Sequence, residues 1–334
     1  MNQNRRKASN CRYTIGVDFG GTFVKLALVR FWDKGFKIEG FTSFETKNYK
    51  KDELIEQLVI RIIKLKAEST YKGNRIRGVG IGVPGRVDFD KGLVFDLTNV
   101  PGWKNVNLKE ALQHKVKVPV LVDNDANLMA LAESKFGAAK GHRDCVCVTM
   151  GTGIGGGIIL NHKVYRGINF AAGEIGHMTI NENGPLCVCG GKGCVERYIG
   201  NRYILEEAIR RLRVGAKSSI RAKLNGRYSN LTLEMLSTAA RKKDPFSILI
   251  WQEVGKHMGA VLANVVNLLN PEIIVVGGGV AKAGNLILEP MRRIVKERAF
   301  QVSCRNLKIV ASKFSNKAGI IGAAVLVLAN KEKS

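Results

Sequence analysis

The sequence predicts an α/β protein, in which strands and helices alternate along the chain. Short apolar runs such as Tyr13–Val17, Arg77–Val83 and Val118–Val122 have the length and composition of buried strands. Between the first two lies Asp52–Ala67, whose apolar residues recur on one side at helical spacing. This order of elements is typical of sheets covered by helices. With 334 residues, 45% of them hydrophobic, the chain is long enough for two domains with proper cores.

Two sections of the chain each read as strand, glycine-rich turn and strand. The first runs from Tyr13–Val17 through the loop Asp18–Thr22 into Val24–Arg30, and the second combines the strand Asp144–Met150 with a predicted loop at Gly151–Gly157. The repetition indicates an internal duplication, with a ligand cleft between two similar halves. The other predicted elements are helices at Ala126–Phe136, Tyr203–Arg213, Pro245–Leu269 and Ala318–Ala329 and strands at Ile273–Val276 and Leu307–Ala311.

Charge and cysteine content limit the kinds of function. A formal net charge of +25 fits a solvated basic surface best; the alternatives are attraction of anionic substrates and nucleic-acid binding. No recognisable nucleic-acid motif accompanies this charge, so we expect no nucleic-acid partner. Seven cysteines, an odd number, argue against a secreted disulfide framework. No apolar stretch has the length of a membrane span or the form of a signal peptide, and the sequence therefore predicts a cytoplasmic protein without membrane contact.

Three glycine-rich motifs follow predicted strands. They are DFGGTFVK (Asp18–Lys25), TMGTGIGGG (Thr149–Gly157) and VVGGGVA (Val275–Ala281). Adjacent glycines let backbone N–H groups face phosphate oxygens, while Asp18 can orient water around Mg²⁺. Each motif alone could be an ordinary turn, and none is a Walker A or a clean dinucleotide fingerprint. Together they predict a nucleotide site.

The segment DNDANLMALAE (Asp123–Glu133) places carboxylates and amides where a buried strand gives way to a helix. Open α/β sheets bind ligands at such strand ends. A hydroxyl group is a poor nucleophile that needs a positioned base to accept a phosphoryl group, and either Asp125 or Asp123 could serve. The competing interpretation is that Asn124 or Asp125 caps the helix.

One short loop predicts a metal site. His177 is followed by Cys187, Cys189 and Cys194 in GHMTINENGPLCVCGGKGC, and three thiolates with one imidazole match a closed tetrahedral zinc site. The alternative is a group of free thiols. Glu174 and Glu196 flank the loop, and a metal would hold both in place, although surface charges are the simpler interpretation of either one alone.

These motifs together resemble those of the ROK family of sugar kinases and repressors. The resemblance covers nearly the whole chain from about Tyr13, with landmarks in the order DFGGTFVK, GVPGRVD, NVPGW, DNDAN, TMGTGIGGG, GEIGH, CVCGGKGC with Glu196, and NPEIIVVGGG. The combination of GEIGH with the CxCGxxGCxE pattern is specific. One departure is Gly200, where the family often has Ser, and we expect it to affect only loop packing.

The resemblance implies an actin-like (ribonuclease H-like) two-domain ATPase fold with a cleft between the domains. It implies that Mg²⁺ and ATP are held at Asp18, Gly20, Gly21, Thr22, Lys25, Gly151, Thr152, Gly153, Gly277, Gly278 and Gly279. It implies a sugar site at Arg86, Thr98, Asn124, Asp125, Glu174, His177 and Glu196, with Asp125 as the general base. His177 would also bind a structural Zn²⁺ with Cys187, Cys189 and Cys194, because its two ring nitrogens point in different directions.

The expected domain organisation follows the motifs. A short basic tail (1–12) precedes a small α/β domain (13–122), which the C-terminal helix at about 314–334 completes. A larger α/β domain (123–313) carries the zinc loop (177–194).

The expected function is ATP-dependent phosphorylation of a hexose, with glucose as the first choice of sugar. N-acetylmannosamine or fructose phosphorylation is the alternative within the family, and a non-catalytic sugar-sensing regulator is the alternative from another class. Repressor members carry a helix-turn-helix domain before the kinase core, whereas here only about a dozen residues precede the first strand, so we expect no DNA-binding role. The family commonly forms homodimers or homotetramers, and either is expected here.

Overall fold

The computed structural model describes residues 11–71, 75–97 and 100–331. Its first five-stranded sheet contains, with strands numbered along the chain, β1 (Arg12–Phe19), β2 (Phe23–Trp32), β3 (Gly35–Glu45), β4 (Ile76–Val83) and β8 (Val120–Asn124). The strand order is β3-β2-β1-β4-β8. The pairs β1–β2 and β2–β3 are antiparallel, whereas β1–β4 and β4–β8 are parallel.

The second sheet repeats this arrangement. It contains β9 (Cys145–Met150), β10 (Ile154–Leu160), β11 (Lys163–Tyr165), β12 (Ile273–Gly277) and β13 (Lys308–Ala311), in the order β11-β10-β9-β12-β13. The pairs β9–β10 and β10–β11 are antiparallel, and β9–β12 and β12–β13 are parallel. The two sheets therefore share one topology, which confirms the predicted duplication.

A small antiparallel sheet extends the first half. It consists of β5 (Val87–Asp88), β6 (Leu93–Asp96) and β7 (Lys104–Asn107), in that order. The strands are short and their sequence lacks a long apolar run, so the sequence analysis did not identify them.

Helices cover the sheets. They are α1 (Lys51–Tyr71), α2 (Leu108–Val116), α3 (Asp125–Phe136), α4 (Glu196–Ile199), α5 (Asn201–Arg213), α6 (Ile220–Leu224), α7 (Leu233–Arg241), α8 (Pro245–Leu269), α9 (Asn285–Arg298), α10 (Gln301–Cys304) and α11 (Ala318–Lys331). Short 3₁₀ turns include Ile175–His177. Within the described ranges, no helix combines the length and the apolar character that a membrane crossing requires.

Local sequence explains the longest helix, α8. The side chain of Asp244 caps its first turn by accepting a hydrogen bond from the backbone N–H of Ser247 at 3.0 Å, and Pro245 stands at the first helical position. Asn270 ends the helix in the left-handed conformation, at φ 44°. The buried face of α8, with Trp251 only 1% exposed, forms the core of the second half together with β9 and β12.

Two helices lie between the sheets. α11 packs across β1 and β4, while α3 packs against α11 on one side and β9–β10 on the other. In these contacts the backbones of helix and strand approach each other closely. A Cβ on Gly80 of β4 would lie 1.8 Å from the carbonyl oxygen of Ala323, and one on Gly157 of β10 would lie 2.4 Å from that of Ala126. Only glycine permits either approach.

The predicted α/β class and hairpin are confirmed, and one loop prediction is wrong. Gly151–Gly157 was expected to be a loop, but β10 begins at Ile154, so only Gly151–Gly153 forms the turn. The last three glycines stand in the strand because neighbouring atoms leave no room for side chains; at Gly155 a Cβ would lie 2.7 Å from Oγ1 of Thr149, and at Gly156 it would lie 2.4 Å from the carbonyl oxygen of Gly173.

Candidate active site and metal cluster

The first glycine turn joins β1 to β2 and carries a buried carboxylate beside it. Burial raises the pKa of the Asp18 carboxyl, and the ammonium of Lys25, 3.6 Å from its Oδ2, opposes that rise. The turn is braced by Thr46, whose Oγ1 donates to the carbonyl of Gly20 at 2.9 Å and whose N–H donates to that of Thr22 at 2.9 Å. The turn residues Gly21 and Thr22 are exposed, so their backbone can reach a ligand.

The second and third glycine turns lie side by side, because β9 pairs with β12 and brings Thr149 opposite Gly277. In the second turn, the N–H of Gly151 donates to the carbonyl of Gly153 at 3.0 Å. In the third, Gly278 has φ +91° and lies against the backbone of Met150. Apart from its two chain neighbours, no described residue has an atom within 4 Å of the Cβ position at Gly279, so this turn has an open side.

The start of α3 presents Asp125 to the space near the first turn. Burial raises the pKa of Asp125 to about 7, and the charges of Asp18 and Glu174 add to the rise, while the N–H of Ala126 opposes it. The two added charges mean that Asp18, Asp125 and Glu174 face one region. Asp125 forms no ion pair with any described residue, so its carboxylate is available for proton transfer.

Asn124 caps α3, as the competing interpretation held. Its Oδ1 accepts from the backbone N–H groups of Ala126 and Asn127 at 2.9 and 3.3 Å, and its Nδ2 donates to the carbonyl of Gly85 at 3.1 Å. A side-chain amide has two N–H donors. One of them therefore remains for a ligand hydroxyl.

Asp123 is not a candidate base, because Arg166 neutralises it. The guanidinium donates from Nε at 3.1 Å and from the Nη2 nitrogen at 2.6 Å to Oδ2 of Asp123, which is 2% exposed. Arg166 also stacks over the ring of Phe89 at 3.8 Å. The sequence analysis missed Arg166, since a lone arginine after a short strand carries no local signal for a partner 43 residues away.

A small pocket beside α3 brings together part of the predicted sugar site. Arg86, Asn124 and Glu174 line it, and so do Asn127 and Phe170, which the sequence analysis had not assigned. Asn127 stands one helical turn after Asn124, and its buried Oδ1 has no hydrogen-bond partner among the described residues. Such an orphaned acceptor suits a ligand hydroxyl. Both asparagines belong to the DNDAN motif, so the sequence already places them one helical turn apart on the same face of α3.

The remaining predicted sugar residues are placed differently. Asp125, His177 and Glu196 are not among the residues that line this pocket. Asp125 lies next to Asn124 at the start of α3, and Oε2 of Glu196 accepts the backbone N–H of Ile154, just after the second turn, at 2.8 Å. Thr98 lies outside the described residues. Arg86, which does line the pocket, is mostly exposed and forms an ion pair with Asp96 at 3.3 Å.

The four predicted metal ligands come together. The ligand atoms of His177, Cys187, Cys189 and Cys194 all lie within 4.8 Å of one another. Sγ of Cys189 is 3.6 Å from Sγ of Cys194, and Sγ of Cys187 is 3.7 Å from Nδ1 of His177. A Zn–S bond of about 2.3 Å gives a tetrahedron edge of about 3.8 Å, so this Cys₃His cluster fits a zinc ion.

The two sheets of one topology and the match to solved structures of the same fold define an actin-like ATPase fold. A sequence model of the ROK family matches residues 14–330, and the chain belongs to that family. It is 33% identical over 318 residues to the glucokinase of Halalkalibacterium halodurans, with 95% of each chain covered.

Two solved structures show the same fold. The ROK family glucokinase from Streptomyces griseus, in complex with glucose and AMPPNP, superposes with a TM-score of 0.79 at 32% identity, covering 94% of this chain and 98% of that one. A ROK family transcriptional regulator, a homolog of the E. coli MLC protein, gives a TM-score of 0.85 at 27% identity and covers 95% of this chain and 78% of that one. The family therefore includes both sugar kinases and transcriptional regulators.

Proposed function

We propose that this protein is a hexose kinase that transfers the γ-phosphate of ATP to glucose, giving glucose 6-phosphate, with Asp125 as general base. The observation that carries the proposal is the contrast between two neighbouring carboxylates. Asp123 is paired with Arg166, whereas Asp125 is unpaired and has its pKa raised to about 7. A base with a pKa near the working pH combines the correct protonation state with a strong drive to accept a proton.

The chain's own residues provide most of the mechanism. Asn124, Asn127 and Glu174 offer polar atoms that would orient the sugar hydroxyls, and Asp125 accepts the proton of the attacking hydroxyl. Backbone N–H groups of the glycine turns would hold the phosphate oxygens. Asp18 is the carboxylate that would hold hydrated Mg²⁺, which, when bound, spreads the charge of the phosphates.

We assign the Cys₃His cluster to a structural Zn²⁺. Its geometry supports the assignment, and four protein ligands leave no open position for water, so the ion would take no part in the chemistry. Its role is to hold the segments that end at His177 and begin at Cys194.

The choice of glucose rests on the glucokinase relatives, and the shape of the pocket near the sugar 2-position decides between glucose, fructose and N-acetylmannosamine. The regulator among the structural relatives keeps a non-catalytic sugar sensor as the second candidate. Both candidates bind sugar, but only a kinase releases ADP.

The test is an ADP-release assay with a panel of hexoses and N-acetylhexosamines, followed by mass spectrometry of the product. We expect ADP and a sugar 6-phosphate with glucose above the other sugars. ADP release with only N-acetylmannosamine or only fructose would show that this sugar, and not glucose, is the substrate. Sugar binding by calorimetry without ADP from any sugar would replace the kinase with a sensor.

Partners and location are further proposals. We propose a cytoplasmic homodimer or homotetramer that binds sugar and ATP and does not bind nucleic acid. Light scattering measures the oligomer, and a salt-dependent gel shift with random DNA tests whether the net charge of +25 attracts nucleic acid.

A further inference from the structure

Ile154, the first residue of β10, lies where both ends of the metal loop meet the second glycine turn. On one side, Oε2 of Glu196 accepts its N–H at 2.8 Å. On the other side, a Cβ on Gly176 would lie 2.3 Å from its carbonyl oxygen. Gly176 precedes the cluster residue His177, and Glu196 follows Cys194 by two positions. The Cys₃His cluster therefore clamps the two segments that enclose Ile154.

The same segment braces the rest of the second turn. The N–H of Asn201 donates to the carbonyl of Gly151 at 2.9 Å. A Cβ on Gly200 would lie 3.1 Å from the carbonyl oxygen of Thr152, so position 200, where the family often has Ser, faces the turn directly. The conformation of Gly151–Gly153 thus depends on where residues 196–201 lie.

Glu196 has one carboxylate oxygen to spare. Its Oε2 is used by Ile154, and within the described part of the chain no hydrogen bond reaches Oε1. The side chain is only partly buried, so this oxygen can accept from a ligand. A carboxylate accepts through both oxygens at once. Glu196 does not line the pocket beside α3, but Gly155 and Gly156, which follow Ile154, do. A sugar in that pocket would therefore lie near both Glu196 and the phosphate-binding turn.

We propose that Glu196 is a positioning residue that couples sugar binding to nucleotide binding, an inference that rests on the proposed kinase function. A sugar hydroxyl on Oε1 would fix the carboxylate, which fixes the N–H of Ile154 and with it the Gly151–Gly153 turn. The nucleotide then meets an ordered turn and loses less entropy on binding. By linkage, the nucleotide raises sugar affinity by the same factor.

A matched pair of variants isolates this contact. A Cβ on Gly153 would lie 2.9 Å from Oε2 of Glu196, so Gly153→Ala displaces the carboxylate and weakens its hydrogen bond to Ile154. A Cβ on Gly151 meets only the carbonyl oxygen of Gly153, at 4.0 Å, so Gly151→Ala leaves the contact intact. Neither glycine has a positive φ, and alanine is sterically accepted at both. Glu196→Ala removes the carboxylate, and with it the hydrogen bond to Ile154, without changing any residue of the turn.

The measurement is the dissociation constant of AMPPNP, by calorimetry, without sugar and with saturating glucose. We expect glucose to tighten nucleotide binding about tenfold in the unmodified protein and in Gly151→Ala. In Gly153→Ala and Glu196→Ala the factor should fall to about 1. If both of these variants retain the tenfold effect, the proposed coupling is wrong, whatever their affinity for either ligand alone.

The two proposals fail in different ways. If the protein phosphorylates glucose but glucose does not change its affinity for AMPPNP, the coupling is wrong and the proposed kinase function stands. A protein that binds neither ligand overturns the kinase and the coupling with it. The reciprocal titration, glucose with and without AMPPNP, must return the same factor.

Discussion

The two glycine turns at matching places in the two sheets are held in different ways. The turn between β1 and β2 is braced by Thr46, which follows β3 of the same sheet, through a hydroxyl and a backbone N–H. The turn between β9 and β10 is braced by Glu196, which belongs to a segment outside the sheet and beside the Cys₃His cluster. The first brace is neutral and local, whereas the second is ionisable and depends on the metal loop. We therefore expect the first turn to keep its conformation and the second to respond to ligands.

The largest effect should come from Asp125, which faces the region near the first turn. Asp125→Asn keeps the shape of the side chain but removes its ability to accept a proton. We expect kcat to fall about 10²–10⁴-fold while AMPPNP affinity stays close to normal, because neither turn is altered. Turnover within a few-fold of the unmodified protein would mean that another group is the base.

The next effect concerns the connection between the halves. Arg166 follows β11 of the second sheet and pairs with Asp123 of β8 in the first. Arg166→Gln leaves a buried carboxylate unpaired, so we expect the free energy of unfolding to fall by about 3–5 kcal/mol in urea. The control is Arg143→Gln, whose exposed pair with Asp144 should contribute less than about 1 kcal/mol. Equal losses would show that the buried pair does not join the halves.

The pH dependence follows from the raised pKa of Asp125. The base must be deprotonated, so kcat/KM should level off about one pH unit above the pKa of about 7 and fall about tenfold per unit well below it. Glu174 and Asp18 both raise this pKa. Glu174→Gln should therefore move the inflection to lower pH. An inflection near pH 4 would contradict the burial of Asp125.

Metal loss should affect one turn and spare the other. Cys187→Ser removes a cluster ligand, which should lower the bound zinc and free Glu196 from Ile154. We expect amide exchange at Ile154 to rise at least about tenfold while the N–H of Gly20, bonded to Phe23 in the first turn, keeps its protection. Cys304→Ser, outside the cluster, is the control. Equal exchange changes at the two turns would remove the distinction between them.

The smallest effect should come from the neutral brace. Thr46→Val keeps the shape of a buried side chain but deletes its hydrogen bond to Gly20, which should cost about 0.5–1.5 kcal/mol of unfolding free energy. The effect of glucose on AMPPNP affinity should not change, because Glu196 is untouched. Thr179→Val, whose hydroxyl bonds at the surface, is the control. Loss of the glucose effect in Thr46→Val would place the coupling in the first turn.

Much of the fold was readable because its signals are local. The hairpin around Gly20, the helix after Asp125 and the closing apolar helix each follow from a short pattern of turn residues and apolar spacing. β3 was missed because Gly35–Glu45 is largely half-exposed and carries no continuous apolar run. Gly155–Gly157 was predicted to be part of a loop. The strand needs glycine there because α3 and Gly173 pack against it, and both are remote in sequence.

The candidate site likewise has parts that local sequence predicts and parts that only the folded chain brings together. The cluster of His177 with three cysteines was found because its ligands lie in one loop, and its assembly agrees with that prediction. The choice between Asp123 and Asp125 depended on Arg166, which only the folded chain brings to Asp123. The link from Glu196 to Ile154 spans 42 residues and joins two motifs that the sequence presents as separate.

The packing of α11 has a consequence for how the protein is made. Thr14 of β1 donates its hydroxyl hydrogen bond to the carbonyl of Ala324, 310 residues later. A ribosome adding about 5–20 residues per second needs about 15–60 s to synthesise the intervening chain. During that time the face of β1 and β4 that receives α11 has no cover. The first-made sheet is therefore the last to be completed, and it is the part of the nascent chain that chaperones would have reason to hold.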